Sequence, residues 1–416
     1  MRVVEPHEFK DVKHPKKKRG RRNGWRTVIV LVALLYVATS LARPLPAITS
    51  TATALTPLES KKITLRWPTH GQAAVGAVGY GVLGTYGDQK ALPTASVAKV
   101  MAALAVLKQK PLKVGEKGPT IVITQDDVDY YQKVVSEDGS NVPVAVGEEI
   151  TQYEALQALL LPSANNMAHT LAVWAYGSEK QYTAFVNNFS KTLGMNNAHF
   201  DDASGYSPET VASSEDLARL AVNAMDNPVI AEIVAQPDAV IPVAGRIYNV
   251  NALLGRDGIV GVKTGNTEQA GGVFMAAASR DISGQRIVAV SVIMGATNLG
   301  EAMRNSVPLI NSVFDGFEQV TLVKASQVVG TYTVPWGSSV NVTAKQDVKG
   351  VVWRGNPIKA DIALRPITVP QEPVLAQTQV GSIQGSFGRA QVDSAALLAG
   401  DIQQPPLLWR FRPRFI

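Results

Sequence analysis

Ser96 and Lys99 stand three residues apart in the stretch Pro93-Thr94-Ala95-Ser96-Val97-Ala98-Lys99-Val100-Met101, where an apolar helical run begins. Residues three apart share a helix face, so an amine can sit beside the hydroxyl without help from a distant histidine. Such a pair suits acyl transfer, with Ser96 as nucleophile and Lys99 as its base. A lysine base must be neutral when it takes the proton, whereas a free lysine titrates at about 10.4. Burial, a second cation and the positive end of the Ser96 helix would each lower that value. S-x-x-K also arises by chance, so the pair needs supporting groups elsewhere in the chain.

Two further patterns supply them. Ser163-Ala164-Asn165 comes 67 residues after Ser96, at a pause between two leucine-bearing helical runs. Lys263-Thr264-Gly265 comes 100 residues after that, at the end of the apolar strand Gly258-Ile259-Val260-Gly261-Val262. Alone, the first fits a helix-capping serine and the second a turn that happens to hold a lysine.

The elements that must position these groups are legible in part. Ala73 to Tyr86 reads as a strand pair with a turn at Gly87-Asp88, leading into a helix from Ala95 to Lys108. Pro119 to Val146 mixes short strands with an Asp-rich segment and gives no clear element. Thr151-Gln152-Tyr153-Glu154 is a capping box that opens a helix ending at Pro162. Further helices are expected from Asn165 through Trp174, over Glu179–Leu193 and over Glu215–Met225, with a loop at Asp201–Pro208. Strands over Gly272–Ala278 and Arg286–Met294 form a hairpin through Ser283-Gly284, and a helix over Leu299–Phe317 packs back on the sheet. After Glu318 the helical period vanishes. Val328–Trp336, Val340–Lys345, Val348–Arg354 and Ala360–Arg365 read as short strands.

The charge is unevenly placed. Residues 1–26 hold ten Lys/Arg against three Asp/Glu, and the remainder holds thirty against thirty-one. The body is thus nearly neutral, and nucleic-acid binding has no electrostatic support. The basic cluster precedes an apolar run at 27–42, which keeps that end in the cytoplasm and sends the rest across the membrane. The favoured reading is an uncleaved single-pass anchor. The alternative is a signal core cut near Ser40-Leu41-Ala42 and a secreted product. Residues 43–62, rich in Pro, Thr, Ser and Ala, read as a linker. The end, Leu407 to Phe415, is basic and aromatic, but its shortness and its proline argue against an amphipathic helix, so it is expected to pack or fray. The chain has no cysteine, which removes disulfides and thiol catalysis.

Together the three patterns resemble the penicillin-interacting serine enzymes, and within them the low-molecular-weight D-alanyl-D-alanine carboxypeptidases. The likeness includes Leu161-Pro162-Ser163-Ala164-Asn165-Asn166-Met167-Ala168, Ala203-Ser204-Gly205-Tyr206 and Gly261-Val262-Lys263-Thr264-Gly265-Asn266-Thr267. It implies an α+β fold: a β-lactamase/transpeptidase-like domain over residues 63–317, with an antiparallel sheet flanked by helices and a helical subdomain. A small β-sandwich-like domain follows at 318–400, then a basic aromatic tail at 401–416. It also implies roles. Ser163 would relay a proton between Lys99 and the departing D-alanine, and Asn165 would bond the substrate amide. The N–H of Ser96 and that of Asn266 would hold the oxyanion. Lys263 and Thr264 would grip a terminal carboxylate, with Gly265 leaving room for an extended peptide. The expected partners are a peptidoglycan stem peptide ending in D-Ala-D-Ala, β-lactam antibiotics and, through the N-terminal segment, the membrane. No cofactor or metal is implied.

Two rivals differ in testable ways. A class A β-lactamase adds a glutamate in an E-x-x-L-N pattern, and none of Glu179, Glu209, Glu215 and Glu232 opens one. Intact Ser96, Lys99 and Lys263 count against a non-catalytic wall-binding or β-lactam-sensing module. No G-x-S-x-G is present, and the five histidines show no metal spacing, so His169 and His199 are expected to be structural or surface residues.

Overall fold

The computed structural model describes residues 24–412 except Pro357. Most of the basic leader and the last four residues of the tail lie outside the described residues. The first element is helix α1, Gly24–Ala42. Gly24, Trp25 and Arg26 join the apolar run, so the helix is three residues longer than the run itself. At 1.5 Å per residue its 19 residues extend about 28 Å, close to a bilayer's apolar thickness. Leu31 and Leu35 are about 60% exposed, so α1 is not a core helix. Its last turns pack on the C-terminal tail. The Tyr36 hydroxyl donates to Phe411 O at 2.6 Å, and Arg410 Nη1 donates to Leu41 O at 2.9 Å. The tail, a 3-10 turn over Leu407–Phe411, is thus packed on the end of α1. Strand β1, Thr49–Ala52, follows.

The body opens with strands β2, Gln72–Ala77, and β3, Gly81–Tyr86, then a short β4, Leu92–Pro93. Helix α2, Ala98–Gln109, runs through the centre and is buried on every side from Ala98 to Leu107. Its alanines keep it thin enough for helices to pack all around it. Strand β5, Thr120–Val122, and helix α3, Gln125–Ser136, come next. Helix α3 falls in the Asp-rich segment that the sequence left unplaced. Its signal was a second capping box, Thr124 with Asp127. Strand β6, Glu149–Thr151, pairs with β5 and leads into α4, Gln152–Leu160, which starts at the Thr151–Glu154 capping box. Helices α5, Asn165–Tyr176, and α6, Glu179–Thr192, complete the helical part. Strand β7, Val211–Ala212, pairs with β4, and α7, Ser214–Asp226, follows. Asn227 ends α7 and its side chain caps the next helix, α8, Pro228–Val234. The proline that stops one helix is the first residue of another, which the sequence reading missed. A hairpin of β8, Asp238–Ile241, and β9, Gly245–Tyr248, leads to the three long strands β10, Ile259–Thr267, β11, Gly271–Ile282, and β12, Gln285–Ala296.

The central sheet is antiparallel, in the order β10-β11-β12-β2-β3. Both of its faces are buried, and alternate side chains enter different cores. Val273, Met275 and Ala277 face the helices around α2, while Phe274, Ala276 and Ala278 face α9, Leu299–Phe314. Helix α9 ends three residues before the expected Phe317. A Cβ on Gly316 would lie 2.4 Å from Trp353 Nε1, so the chain turns there on a residue without a side chain. Phe317 then starts β13, Phe317–Val323.

The strand-rich part continues with β14, Val328–Thr333, β15, Val340–Ala344, β16, Val348–Trp353, and β17, Ala360–Leu364. A hairpin that the sequence reading did not place, β18, Gln379–Phe387, and β19, Ala390–Leu398, completes it. The β13–β16 pair packs on a six-stranded sheet in the order β1-β14-β15-β19-β18-β17, with Val348, Val352, Ile383, Phe387 and Leu398 buried between them. Tyr80 joins this unit to the body, donating to Val351 O at 2.8 Å and meeting the Phe317 ring edge-on.

The expected linker at 43–62 is corrected here. Strand β1 is the edge of the six-stranded sheet, with Thr51 opposite Thr331, and Ile48 is buried in its core. Leu58 bridges to Ile358, and Arg354 Nη2 donates to Glu59 O at 2.7 Å. The side chains of β1 are exposed on both faces, so no alternation of apolar residues announced a strand. A chain starting at residue 63 should therefore be less stable than one starting at 44. Loss of the Ile48 contacts alone is worth about 2 kcal/mol, and a lower urea midpoint for the strand-rich part, followed by its Trp336 and Trp409 fluorescence, is the expected result.

Candidate active site

The chain reaches Ser96 from β4, held by Thr94 N donating to Thr210 O at 3.0 Å. Ala95, Ser96 and Val97 form a 3-10 turn, and α2 begins only at Ala98. The sequence reading ran the α-helix from Ala95. Instead Ala95 adopts a left-handed φ of +47°, which costs an L-residue roughly 1 kcal/mol. Ser96 is half-buried and Lys99 fully buried behind it. Lys99 Nζ lies 2.8 Å from Ser96 Oγ and 2.9 Å from the Ser204 carbonyl oxygen. One amine thus bridges the hydroxyl and a backbone acceptor.

Burial holds the Lys99 amine well below the usual lysine range. Lys263 pushes it the same way, and Asp202 opposes both. Lys263 is also buried, and desolvation alone pushes it down to about 7. Its Nζ donates to Thr264 O at 3.1 Å. Burial lowers both lysines, and the nearby Lys263 adds to the effect on Lys99.

Ser163 follows Pro162 with a left-handed φ of +70°. It is not the capping serine that its position allowed. The N-cap of α5 is Ala164, and no side chain caps that helix. Ser163 and Asn165 are both more than 90% buried in the break between α4 and α5. The break is braced by residues 139–142, which the sequence reading missed: Asn165 N donates to Ser140 O at 2.7 Å, and the Asn166 amide bonds both N and O of Val142.

Lys263, Thr264 and Gly265 lie on β10, the edge strand of the central sheet, opposite Met275, Phe274 and Val273. A Cβ on Gly265 would sit 3.1 Å from Ala95 Cβ and from Thr94 O. The missing side chain therefore first serves the close approach of β10 to the Ser96 turn. Asn266, next along, is exposed. The loop 202–206 closes the other side. A Cβ on Gly205, at φ +75°, would fall 1.9 Å from Ala95 O, so this loop lies directly on the Ser96 turn. Its Ser204 carbonyl, the second partner of Lys99, is a backbone group and left no trace in side-chain spacing.

Of the four glutamates considered for a β-lactamase-type water site, three are paired with other side chains and the fourth is exposed. Glu179 meets His169 at 3.2 Å, Glu215 pairs with Arg219, Glu232 accepts from the Tyr153 hydroxyl at 2.6 Å, and Glu209 is exposed. His169 stacks on Tyr130 and His199 bridges to Val211 through the backbone, both in keeping with structural roles.

Comparison with known proteins places these observations. The family model described as D-alanyl-D-alanine carboxypeptidase, Peptidase_S11, matches residues 79–298, more than half the chain. A D-alanyl-D-alanine carboxypeptidase of Mycobacterium tuberculosis is 32% identical over 215 residues, covering 50% of this chain and 68% of that protein. One of Bacillus subtilis is 24% identical over 304 residues, covering 68% and 73%. Among solved structures, a mutant of the Streptomyces K15 DD-transpeptidase superposes with a TM-score of 0.53 at 25% identity, over 61% of this chain and all of that one. Penicillin-binding protein 5 of Haemophilus influenzae, at 19% identity and a TM-score of 0.55, shares the fold over 83% of this chain and all of its own.

Proposed function

The chain belongs to the D-alanyl-D-alanine carboxypeptidase family of serine peptidases, and from that premise we propose that it removes the terminal D-alanine from peptidoglycan stem peptides through an acyl-enzyme on Ser96. The observation that carries this reading is the buried Lys99 amine, bonded to Ser96 Oγ and facing Lys263. Neutral Lys99 takes the proton of Ser96 as Oγ attacks the carbonyl carbon of the penultimate D-alanine. The N–H groups of Ser96 and Asn266 hold the oxyanion, donors that need no reorganisation as charge develops. The proton passes through Ser163 to the leaving nitrogen, the C–N bond breaks, and D-alanine departs. Water then cleaves the ester and returns Ser96 Oγ to its starting state.

Asn165 bonds the substrate amide, while Lys263 and Thr264 hold the terminal carboxylate. An arriving carboxylate offsets the burial that pushes Lys263 down, so substrate restores the charge that binds it. A β-lactam presents the same carbonyl and carboxylate and is opened by the same attack.

We read α1 as a retained anchor with the catalytic body outside the cytoplasm. Its support is the basic leader before it and the contact of its last turns with the tail, which cleavage near Ala42 would remove.

The soluble body, given a fluorescent penicillin and a peptide ending in D-Ala-D-Ala, should take the label and release D-alanine, and Ser96→Ala should do neither. Wild type that does neither overturns the reading. Rapid penicillin hydrolysis without peptide cleavage would favour a β-lactamase.

A further inference from the structure

The carboxylate of Asp202 accepts five hydrogen bonds. Oδ2 takes Ser204 N at 3.1 Å, Ser204 Oγ at 2.6 Å and Tyr206 N at 3.0 Å. Oδ1 takes Gly205 N at 3.1 Å and Thr210 Oγ1 at 2.6 Å. Three of the five donors are consecutive backbone N–H groups of the loop that carries the Ser204 carbonyl. The fifth, Thr210, is fully buried and bonds onward: its carbonyl accepts Thr94 N at 3.0 Å, one residue before the left-handed Ala95. One side chain therefore ties both ends of the arrangement around the nucleophile, the acceptor behind Lys99 and the turn in front of Ser96.

We propose that Asp202 is a positioning residue for the acylation step, fixing the Ser204 carbonyl and the Thr94–Ser96 turn so that the Lys99 amine is held on Ser96 Oγ. The proposal rests on Lys99 being the acylation base. It gives a purpose to an anion beside a base that must be neutral. Burial and Lys263 both drive the proton off Lys99, and Asp202 alone opposes them. Without it the amine would stay neutral but become a weaker base, since basicity falls with pKa.

Other ionisable groups surround the loop. Tyr130, Lys133 and Glu137 from α3 and its end, and Glu179 and Lys180 from α6, line a cavity with Asp202. Tyr182 is fully buried, and burial, with Asp202 adding to it, pushes its hydroxyl up. Burial raises Tyr130 as well, so neither tyrosine titrates where the enzyme would work.

Asp202→Asn removes the charge and leaves one oxygen to accept where two did. Second-order acylation by a fluorescent penicillin should fall 10- to 100-fold, and the acid limb of its pH profile should move to lower pH. The Asp202 charge and the Ser204 carbonyl it fixes on Lys99 both favour the protonated amine, so losing either shifts the limb the same way. Asp202→Glu keeps the charge but displaces it. Its rate should fall while its acid limb stays near that of wild type. An Asn variant with a lower melting temperature and an unmoved acid limb would make Asp202 merely structural and overturn the proposal, as would a Glu variant with the wild-type rate. If the Asn variant does not fold, the Glu variant decides alone. A wild-type enzyme that takes no penicillin is a failure of the acylation reading itself, and shows before either variant is compared.

Discussion

Lys99→Met should abolish penicillin labelling and D-alanine release, lowering both rates at least ~10⁴-fold, while leaving the fold intact. General base catalysis is worth about 10²–10⁴, and groups that act as a unit lose more than their share when one is removed. The fold should survive because methionine is unbranched and fills a similar slot in a site where Lys99 is fully buried. It leaves the Ser204 carbonyl without its partner, at about 1–3 kcal/mol, but also relieves the burial of an amine. A melting temperature within a few degrees of wild type, with no label, is the expected pair of results. The pH profile of wild type provides a second check. Activity should rise with pH through an acid limb well below the ordinary lysine range, as Lys99 gives up its proton. Retained labelling in Lys99→Met would remove the lysine from the mechanism.

Gly205→Ala should be the most damaging single methyl group in the catalytic body. Its Cβ would meet Ala95 O at 1.9 Å and Ala95 C at 2.6 Å, contacts that real structures do not contain. Both neighbours are backbone, so no flexible side chain can yield. Overpacking costs about 1–3 kcal/mol and the left-handed φ of +75° adds about 1–2 kcal/mol for alanine. The only relief is to lift the loop from the Ser96 turn, which takes the Ser204 carbonyl from Lys99. A fall of roughly 10 °C or more in melting temperature, with loss of labelling in the fraction still folded, is expected. Gly255 is the control. It shares the φ, at +79°, but a Cβ there meets nothing within 4 Å, so Gly255→Ala should cost only about 1 kcal/mol. Equal effects at the two glycines would mean that backbone strain, and not the approach to Ala95, is what matters at Gly205.

The residues proposed to carry the chemistry were legible because they are reactive types at a telling spacing. Ser96, Lys99, Ser163, Asn165 and Lys263 are chemical types in a fixed order, and resemblance supplied their roles. What frames them was legible only where it left a periodic mark. The Thr151 capping box and the hairpin at Ser283-Gly284 did so. Helix α3 carried the same box at Thr124 and was passed over because its exposed, Asp-rich face has few apolar positions. The left-handed turns at Ala95 and Ser163 could not be read, since neither residue is one that favours φ > 0. The Ser204 carbonyl is invisible to any argument from side chains, and Asp202 looked like one more loop aspartate. The edge strand β1 was mistaken for a linker because it is polar on both faces.

That edge strand also sets an order of assembly. Its partner lies about 280 residues further along the chain. Closing a flexible loop of that length costs on the order of 5 kcal/mol, more than four residues of edge pairing repay. The folded catalytic body removes most of that cost, because it brings its own two ends together: Lys61 and Glu318 meet at 2.6 Å. The strand-rich unit is therefore completed last, from pieces made first and last, on a frame that the catalytic body must already provide. Until the body has folded, β1 stays unpaired. The strand then records that folding has finished, and a body that fails to fold leaves the sheet edge of β14 open.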